Sequence, residues 1–369
     1  MFKKYKLLNY NFRLVFLLIV ASTIGIIAIG SADASYQKKQ LIGVIIGFGI
    51  MLFISFIDYS FVLKFYWIIY LVNIVLLVST YSSLGDSANN AQRWILIGGF
   101  RFQPSESAKF LLILFFAQYI MIKRKSINHI LRLLIIAILF AIPAMLILKQ
   151  PDLSTTLVIT SIFLGLIFAG GISWRYIIAA LSIGIPIGVV FIFLAMQPDS
   201  TLIEGYQRGR ILAFIDPEKY ADTTATQQLN SVIAIGSGQL DGKGYRNNEV
   251  TSVKNGKYII EPQTDFIFAV IGEEFGFKGS VVVVFVLFSI VLECLYVSFK
   301  AKDLAGRLIA TGMAAWIGFQ GFFNLGVVSF ILPNTGLPLP FISYGLTSIW
   351  SLYIGMGFVL NIHLQQRKK

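Results

Sequence analysis

A chain of 369 residues that is 56% hydrophobic and only 13% charged, with a mean hydropathy of +0.77, is too apolar for an ordinary soluble domain, where roughly 45–50% of residues are apolar. The composition excludes a water-soluble globular protein and predicts a lipid bilayer as the solvent. The net charge of +12 lies in Lys and Arg clusters beside apolar runs, as in the positive-inside bias of membrane proteins. Nucleic acid is therefore not an expected partner.

The first apolar run follows a basic N-terminus and could be a first span or a cleavable signal peptide, because the small-residue stretch 31–35 resembles a cleavage site. The run from Leu14 to Gly30 is close to the ~20 residues that cross a bilayer. Many further apolar runs follow it. We therefore interpret it as an uncleaved first span.

Ten apolar runs in chain order predict an all-α polytopic membrane protein with about ten transmembrane helices, and residues 1–369 are interpreted as one membrane domain. Two of the runs, 266–298 and 305–331, exceed the length of a span and are expected to be tilted or to extend beyond the bilayer. The predicted spans are residues 14–31, 41–57, 61–80, 105–122, 130–148, 155–172, 175–196, 266–298, 305–331 and 345–363.

The basic residues predict the orientation, because with ten spans all of their clusters fall on one side. The positive-inside rule assigns this side, and both termini, to the cytoplasm of a bacterial cell. The clusters are Lys3/Lys4/Lys6/Arg13, Lys123/Arg124/Lys125/Arg132, Lys300/Lys302/Arg307 and Arg367/Lys368/Lys369. The other side receives residues 81–104, the turn 150–152, one large extracytoplasmic loop at 197–264 and a Pro-rich segment at 332–344.

A polar segment before the fourth span contains Arg93, Trp94 and Arg101. Trp94 could equally be an interfacial anchor. Glu106 and Lys109, three residues apart, share a helix face and can pair. Because Lys109 lies inside an apolar span, pairing, a substrate diphosphate or both must stabilise its ammonium group.

The large loop contains two arginines, Arg208 and Arg210, and a stretch at 227–238 that predicts an amphipathic helix ending at glycine. Four glycines at 236–244 indicate a flexible turn region. Their spacing does not match a phosphate-binding fingerprint.

Asp265 stands at the first turn of a long apolar helix, and two interpretations are about equally supported. It could be a helix-start carboxylate that accepts backbone hydrogen bonds, or a general base whose pKa is raised by an apolar wall. Glu273 and Glu274 follow about two turns deeper, where carboxylates are functional candidates. The alternative is that glycines at 272, 276 and 279 mark a break or close packing near the surface, and we favour a structural or supporting role for both glutamates.

The Pro-rich segment 332–345, which includes Ser343 as a further supporting candidate, cannot form a regular helix and must be covered by protein or line a cavity. No metal-ligand cluster is visible in the sequence. The two histidines, His129 and His363, both fall on the predicted cytoplasmic side as ordinary interfacial residues.

Four motifs together resemble the SEDS family (shape, elongation, division and sporulation). They are Gln92-Arg93-Trp94, Phe102-Gln103-Pro104-Ser105-Glu106-x-x-Lys109, Thr264-Asp265-Phe266-Ile267-Phe268 with Glu273-Glu274-Phe275-Gly276, and Gly336–Gly345. The resemblance covers nearly the whole chain, and the short N-terminus with no long cytoplasmic tail is expected of RodA more than of FtsW. The sequence departs from the family pattern at Asn90 and Leu346, where glycine is common in the family.

The resemblance implies a peptidoglycan glycosyltransferase that uses lipid II and works with a class B penicillin-binding protein as its transpeptidase. It implies that Asp265 is the family's essential acidic residue, and that Arg93, Trp94, Glu106 and Lys109 match the other motif positions. Glycosyl transfer from a lipid diphosphate needs a base and cations for the leaving group. Asp265 is the predicted base, with inversion at the anomeric carbon, and the predicted cations are Arg93, Arg101, Lys109, Arg208 and Arg210.

No cofactor is required by the sequence, although a divalent cation, Mg or Mn, could assist the leaving group. A lipid II flippase is the alternative function, since it too would need many spans and cationic contacts to a diphosphate. The functional residues collect on one side instead of along a crossing path, which favours the enzyme. A third hypothesis is a non-catalytic scaffold that recruits a transpeptidase.

Overall fold

The computed structural model describes residues 9–82, 85–88, 91–195, 197, 205–246, 252, 256 and 258–366. The terminal basic residues Lys3, Lys4, Lys6 and 367–369, as well as Asn90, lie outside this part of the chain. The described residues form mainly helices, which are α1 Phe12–Ala32, α2 Ala34–Ser55, α3 Tyr59–Val62, α4 Tyr66–Ser79, α5 Pro104–Lys123, α6 Ile130–Lys149, α7 Leu153–Ala169, α8 Trp174–Ala195, α9 Gly205–Ile215, α10 Thr226–Ser237, α11 Ile267–Lys300, α12 Leu304–Val328 and α13 Leu346–Leu364.

Each of the ten predicted runs contains a helix. Eight helical segments of the described chain are long and apolar enough to cross a membrane, and α7 is a shorter apolar helix. Large apolar side chains such as Phe16, Leu131 and Phe285 are exposed on the outside of the bundle, which suits helices that face lipid. The predicted all-α membrane fold is therefore confirmed.

The centre of the bundle is formed by α5, α12 and α13, whose residues are mostly buried. Helix α1 packs against α2 and α11, and its residues Leu14 and Leu18 are fully buried. The first apolar run is thus an integral part of the core, while its retention as an uncleaved span stays a prediction.

Helix α11 is interrupted at Gly276, whose φ of 63° and ψ of −158° are not helical. The segment that follows α10 packs against this break: the backbone N–H groups of Lys243 and Gly244 donate to the carbonyls of Glu273 and Glu274 at 2.9 and 3.0 Å. The glycine-rich segment that was predicted to be a flexible turn therefore makes close backbone contact with α11. A Cβ on Gly238 or Gly242 would collide with the backbone of α11.

The Pro-rich segment has no regular helix and is covered by protein, as predicted, with Leu339, Phe341 and Ile342 buried. Its backbone also touches the first helix, because a Cβ on Gly25 would lie 2.6 Å from the carbonyl oxygen of Ile342. Helix α10, at the predicted amphipathic stretch, lies over the end of α12, where Gln228 donates to the carbonyls of Val327 and Leu332.

A small antiparallel sheet between α4 and α5 was not predicted. Its strands are β1 Gly85–Ala88, β2 Ala91–Ile97 and β3 Phe100–Phe102. The β2–β3 turn is Gly98-Gly99, and both glycines have positive φ, the conformation that two-residue hairpins favour. Phe100 stacks on Trp350 of α13, with ring centroids 5.1 Å apart.

The described members of the first three basic clusters lie at one end of the bundle, which we call the basic end. There the Asn9 carbonyl lies 2.8 Å from His363 Nδ1, and Lys302 donates to Ser60 and Gln365. Arg124 and Lys302 line one pocket. The described basic residues are therefore grouped as expected, while the position of the terminal residues and the assignment of this end to the cytoplasm stay predictions.

Candidate functional site

Asp265 lies two residues before the first residue of α11, at the end of the bundle opposite the basic end. It is not a helix cap: the cap position is Phe266, and no side-chain capping hydrogen bond forms there. The carboxylate is partly buried. The structure thus shows no capping hydrogen bond from Asp265, while its role as a general base stays a prediction.

The Asp265 carboxylate faces Gly336 of the Pro-rich segment and Arg210 of α9. A Cβ on Gly336 would lie 3.1 Å from Asp265 Oδ2 and 3.7 Å from Arg210 Nη1. Burial raises the pKa of Asp265 from its usual 3.8 to about 6, against the opposing effect of Arg210, while Glu261 and Asp152 add to the rise. Asp265 is therefore a stronger base than an exposed aspartate.

Arg93 of β2 is tied to the turn between α6 and α7. Its Nε donates to the Gln150 carbonyl at 3.0 Å, and its Nη2 donates to the Pro151 carbonyl. The next residue, Asp152, caps α7 by accepting from Thr155 N at 3.1 Å and from the Thr155 hydroxyl at 2.9 Å. Arg93 is close enough to favour the ionised form of Asp265.

The backbone on both sides of this site is held by α12. Asn324 Nδ2 donates to the carbonyl of Asp265 at 2.7 Å and to that of Leu337 at 2.6 Å. One turn earlier, Gln320 Nε2 donates to the Pro338 carbonyl at 2.8 Å. Both side chains are buried, so they fix the Pro-rich segment relative to Asp265.

Lys109 is fully buried and pairs with Glu106, as the helix spacing predicted. Its ammonium lies 2.5 Å from Glu106 Oε1 and 2.8 Å from Gln320 Oε1, and it lies 5.3 Å from the centroid of the Trp316 ring. The ammonium therefore supports Gln320 from inside the bundle. A direct contact between Lys109 or Glu106 and substrate stays a prediction.

The three supporting candidates make contacts within the protein. Glu273 accepts from Lys243 Nζ at 3.0 Å and Glu274 accepts from the Ser31 hydroxyl, both at the α11 break. The Ser343 hydroxyl accepts from Leu339 N at 2.8 Å and closes a turn of the Pro-rich segment. A supporting role for all three stays a prediction.

The remaining candidates are less closely associated with Asp265. Arg101 is half-exposed and forms an ion pair with Asp86 at 2.8 Å, and Trp94 lies on β2 opposite the same Asp86. Arg208 lies on α9 two residues before Arg210, which places it on a different side of that helix. Their substrate contacts stay predictions. Among the described residues, no group of three or more His, Cys, Asp or Glu is placed to hold a metal ion.

Sequence reasoning missed Gln320 and Asn324. A signal was present, because they are polar residues four apart in an otherwise apolar span, and such residues are functional candidates in a membrane. Asp152 and Gly336 were noticed only as parts of longer segments. Their proximity to Asp265 depends on packing between distant parts of the chain.

Apolar helices around a polar, partly buried site at one end of the bundle define an integral membrane protein with a candidate active site at its surface. The FTSW_RODA_SPOVE family model, described as a cell cycle protein, matches residues 4–368. The chain therefore belongs to the FtsW/RodA/SpoVE family of cell cycle proteins, which is the SEDS family that the motifs resemble.

Several relatives align with most of the chain. The probable peptidoglycan glycosyltransferase FtsW of Bacillus subtilis is 33% identical over 98% of this chain and 92% of its own length. The peptidoglycan glycosyltransferase MrdB of Escherichia coli is 34% identical over 81% of this chain and 78% of its own length. Because relatives named FtsW and MrdB, the latter a RodA, match at similar identity, the predicted similarity to RodA over FtsW stays a prediction.

A solved structure supports the same fold. A chain from the work "Structural coordination of polymerization and crosslinking by a peptidoglycan synthase complex" superimposes with a TM-score of 0.81 and 26% identity, over 98% of this chain and 99% of that one.

Proposed function

We propose that this protein is a peptidoglycan glycosyltransferase that polymerises lipid II into glycan strands for cell-wall synthesis. The observation that carries the proposal is the placement of Asp265, a carboxylate with a pKa raised to about 6, against Gly336 and Arg210. Its relatives are named for the same activity. A base with a pKa near the working pH is well suited to general base catalysis.

In the proposed reaction Asp265 takes the proton from the acceptor hydroxyl, whose oxygen attacks the anomeric carbon of the donor sugar. The bond from that carbon to the diphosphate oxygen breaks, and the diphosphate leaves with the electron pair. Arg210 and Arg93 stabilise its negative charge. A single displacement on an α-linked donor inverts the carbon and gives a β-linked strand.

The substrate, the orientation and the partner belong to the same proposal. With the basic end in the cytoplasm, as the positive-inside rule favours, Asp265 lies at the outer face of the bacterial cytoplasmic membrane, where a lipid-linked donor would be polymerised. A class B penicillin-binding protein is the proposed transpeptidase partner, because a matching chain comes from a peptidoglycan synthase complex. A divalent cation is not required for the proposed steps.

The test is polymerisation of lipid II by the purified full chain, with and without a class B penicillin-binding protein and a chelator. We expect Asp265→Asn to lower the rate at least ~100-fold, as for loss of a general base. The matched control is Asp222→Asn, which neutralises an exposed carboxylate of the same loop and should leave the rate near wild type. Near-normal polymerisation by folded Asp265→Asn would remove Asp265 from this role.

Two further measurements, one in vesicles and one in cells, separate the alternatives. A wild-type protein that moves lipid II across vesicle membranes but forms no glycan under any of these conditions would be a flippase. Asp265→Asn that retains full cell-shape function would favour the scaffold.

A further inference from the structure

A pocket of about 200 Å³ lies at the basic end, far from Asp265, and the proposed reaction does not use it. It is formed by the end of α5, the short connection between α11 and α12, and the first turn of α12. Its lining residues are Arg124, Ala301, Lys302, Asp303, Leu304 and Arg307.

Two of the cations in the pocket have no partner within the part of the chain that the structure describes. Arg124 and Arg307 are exposed, and neither guanidinium forms an ion pair or hydrogen bond with any residue that the structure describes. The only acidic lining residue, Asp303, is already engaged: its Oδ2 accepts from the Tyr59 hydroxyl at 2.9 Å and its Oδ1 accepts from Gly306 N at 2.8 Å. The pocket therefore offers two guanidinium groups to an anion.

The pocket lies at the level where a membrane meets water, because the apolar helices α5 and α11 end beside it and α12 begins there. Two exposed apolar side chains flank it in sequence, Ile122 at 48% exposure and Phe299 at 82%. A soluble phosphate ion would make no favourable contact with these apolar side chains. The acyl chains of a lipid whose headgroup occupied the pocket would cover them.

We propose that this pocket binds the phosphate of an anionic glycerophospholipid headgroup, held by Arg124 and Arg307, from the leaflet at the basic end. Arginine suits this ligand because its planar fork can donate two hydrogen bonds to one phosphate. Basic pockets between transmembrane helices bind anionic headgroups elsewhere.

The experiment is native mass spectrometry of the purified full chain in a neutral detergent, titrated with phosphatidylglycerol or phosphatidylcholine. Wild type is expected to reach half-occupancy of its first lipid at a lower concentration of phosphatidylglycerol than of phosphatidylcholine. Arg124→Gln/Arg307→Gln should raise that phosphatidylglycerol concentration roughly tenfold or more, since one basic residue near a lipid surface contributes on the order of fivefold.

The matched control is Lys64→Gln/Lys125→Gln, which removes the same charge from two exposed lysines outside the pocket lining. It should change phosphatidylglycerol binding less than ~3-fold. Equal losses in both double variants, or no lipid preference in wild type, would overturn the proposal. Displacement of the lipid by millimolar inorganic phosphate would also overturn it, because the ligand would then be a soluble anion. Matching thermal unfolding in lipid-free detergent verifies that the variants are folded, and the two single Arg→Gln variants repeat the test if the double variant is not.

Discussion

Asp265 combines a reactive environment with a cost to stability. The pKa of Asp265 is about 6 in the folded protein, whereas the ordinary value for aspartate is 3.8. Folding therefore favours the protonated form of this side chain. Its contribution to stability is fully present below about pH 4 and is lost as the pH rises through about 6. At neutral pH the ionised carboxylate of Asp265 therefore lowers the free energy of unfolding, because it is less well solvated in the folded protein than in the unfolded chain.

We predict that Asp265→Asn stabilises the protein at neutral pH while it abolishes activity. In thermal unfolding experiments in detergent, the free energy of unfolding of the variant relative to wild type should increase by roughly 1 kcal/mol as the pH rises from about 5 to about 7.5, because the amide cannot ionise. The control Asp222→Asn should show no such gain. A gap that stays constant with pH would contradict the raised pKa.

Asn324 is predicted to be a positioning residue for Asp265. Asn324→Leu removes both donors from the carbonyls of Asp265 and Leu337, so Asp265 loses its fixed place beside Gly336. We expect kcat for polymerisation to fall roughly 10–100-fold with a smaller change in KM, since misplacement by about 1 Å can cost ~100-fold in rate.

Asn361→Leu is the matched control for that variant. Asn361 is also buried and holds two backbone groups, the Ser55 carbonyl and Tyr59 N, but at the basic end. Both variants should lose stability by about 1–3 kcal/mol. Only Asn324→Leu should lose activity beyond what its unfolded fraction explains, and equal losses of activity would reduce Asn324 to a purely structural role.

At the scale of elements, the glycine segment after α10 and the break in α11 form one unit. Gly242→Ala would place a Cβ against the Glu274 carbonyl, at a backbone φ of +80°, so we expect it to lower the free energy of unfolding by more than ~2 kcal/mol. Gly236→Ala is the control, because that Cβ meets nothing within 4 Å and alanine favours a helix. Thermal unfolding measures both, and a tolerated Gly242→Ala would contradict the close backbone contact.

The elements differ in how well the sequence predicts them. The spans were predictable because twenty apolar residues have few alternatives in a bilayer. The β2–β3 hairpin had a local signal, Gly-Gly between short aromatic and aliphatic strands, which the polar motif around Arg93 obscured. A break at Gly276 was one of the alternatives that the sequence offered. The segment that packs against this break comes from the loop after α10, and the sequence of α11 does not indicate that contact.

The site shows the same limit. Asp265 and Arg210 were identified from residue type and from resemblance to a family. Their convergence on Gly336 depends on three segments separated by more than fifty residues, which one sequence does not specify. Lys109 was singled out correctly as a buried, paired ammonium, but its second partner, Gln320, is 211 positions away.

At the scale of the whole molecule, we predict that the two ends of the bundle are on opposite sides of the membrane. Cys294 is fully buried, so the wild-type protein should react little with an impermeant maleimide. Asp222→Cys in intact cells should be labelled from outside, whereas Lys125→Cys should be labelled only after permeabilisation. The reverse pattern would place Asp265 in the cytoplasm and end the enzyme proposal.

The contact between Gly25 and Ile342 joins the first helix to the segment that carries Gly336, so residues more than 300 positions apart in the sequence must meet before this part of the site is assembled. During translation, a ribosome-bound nascent chain cannot make this contact until the Pro-rich segment has been synthesised and inserted. A nascent chain that stops before this segment would lack Gly336 beside Asp265.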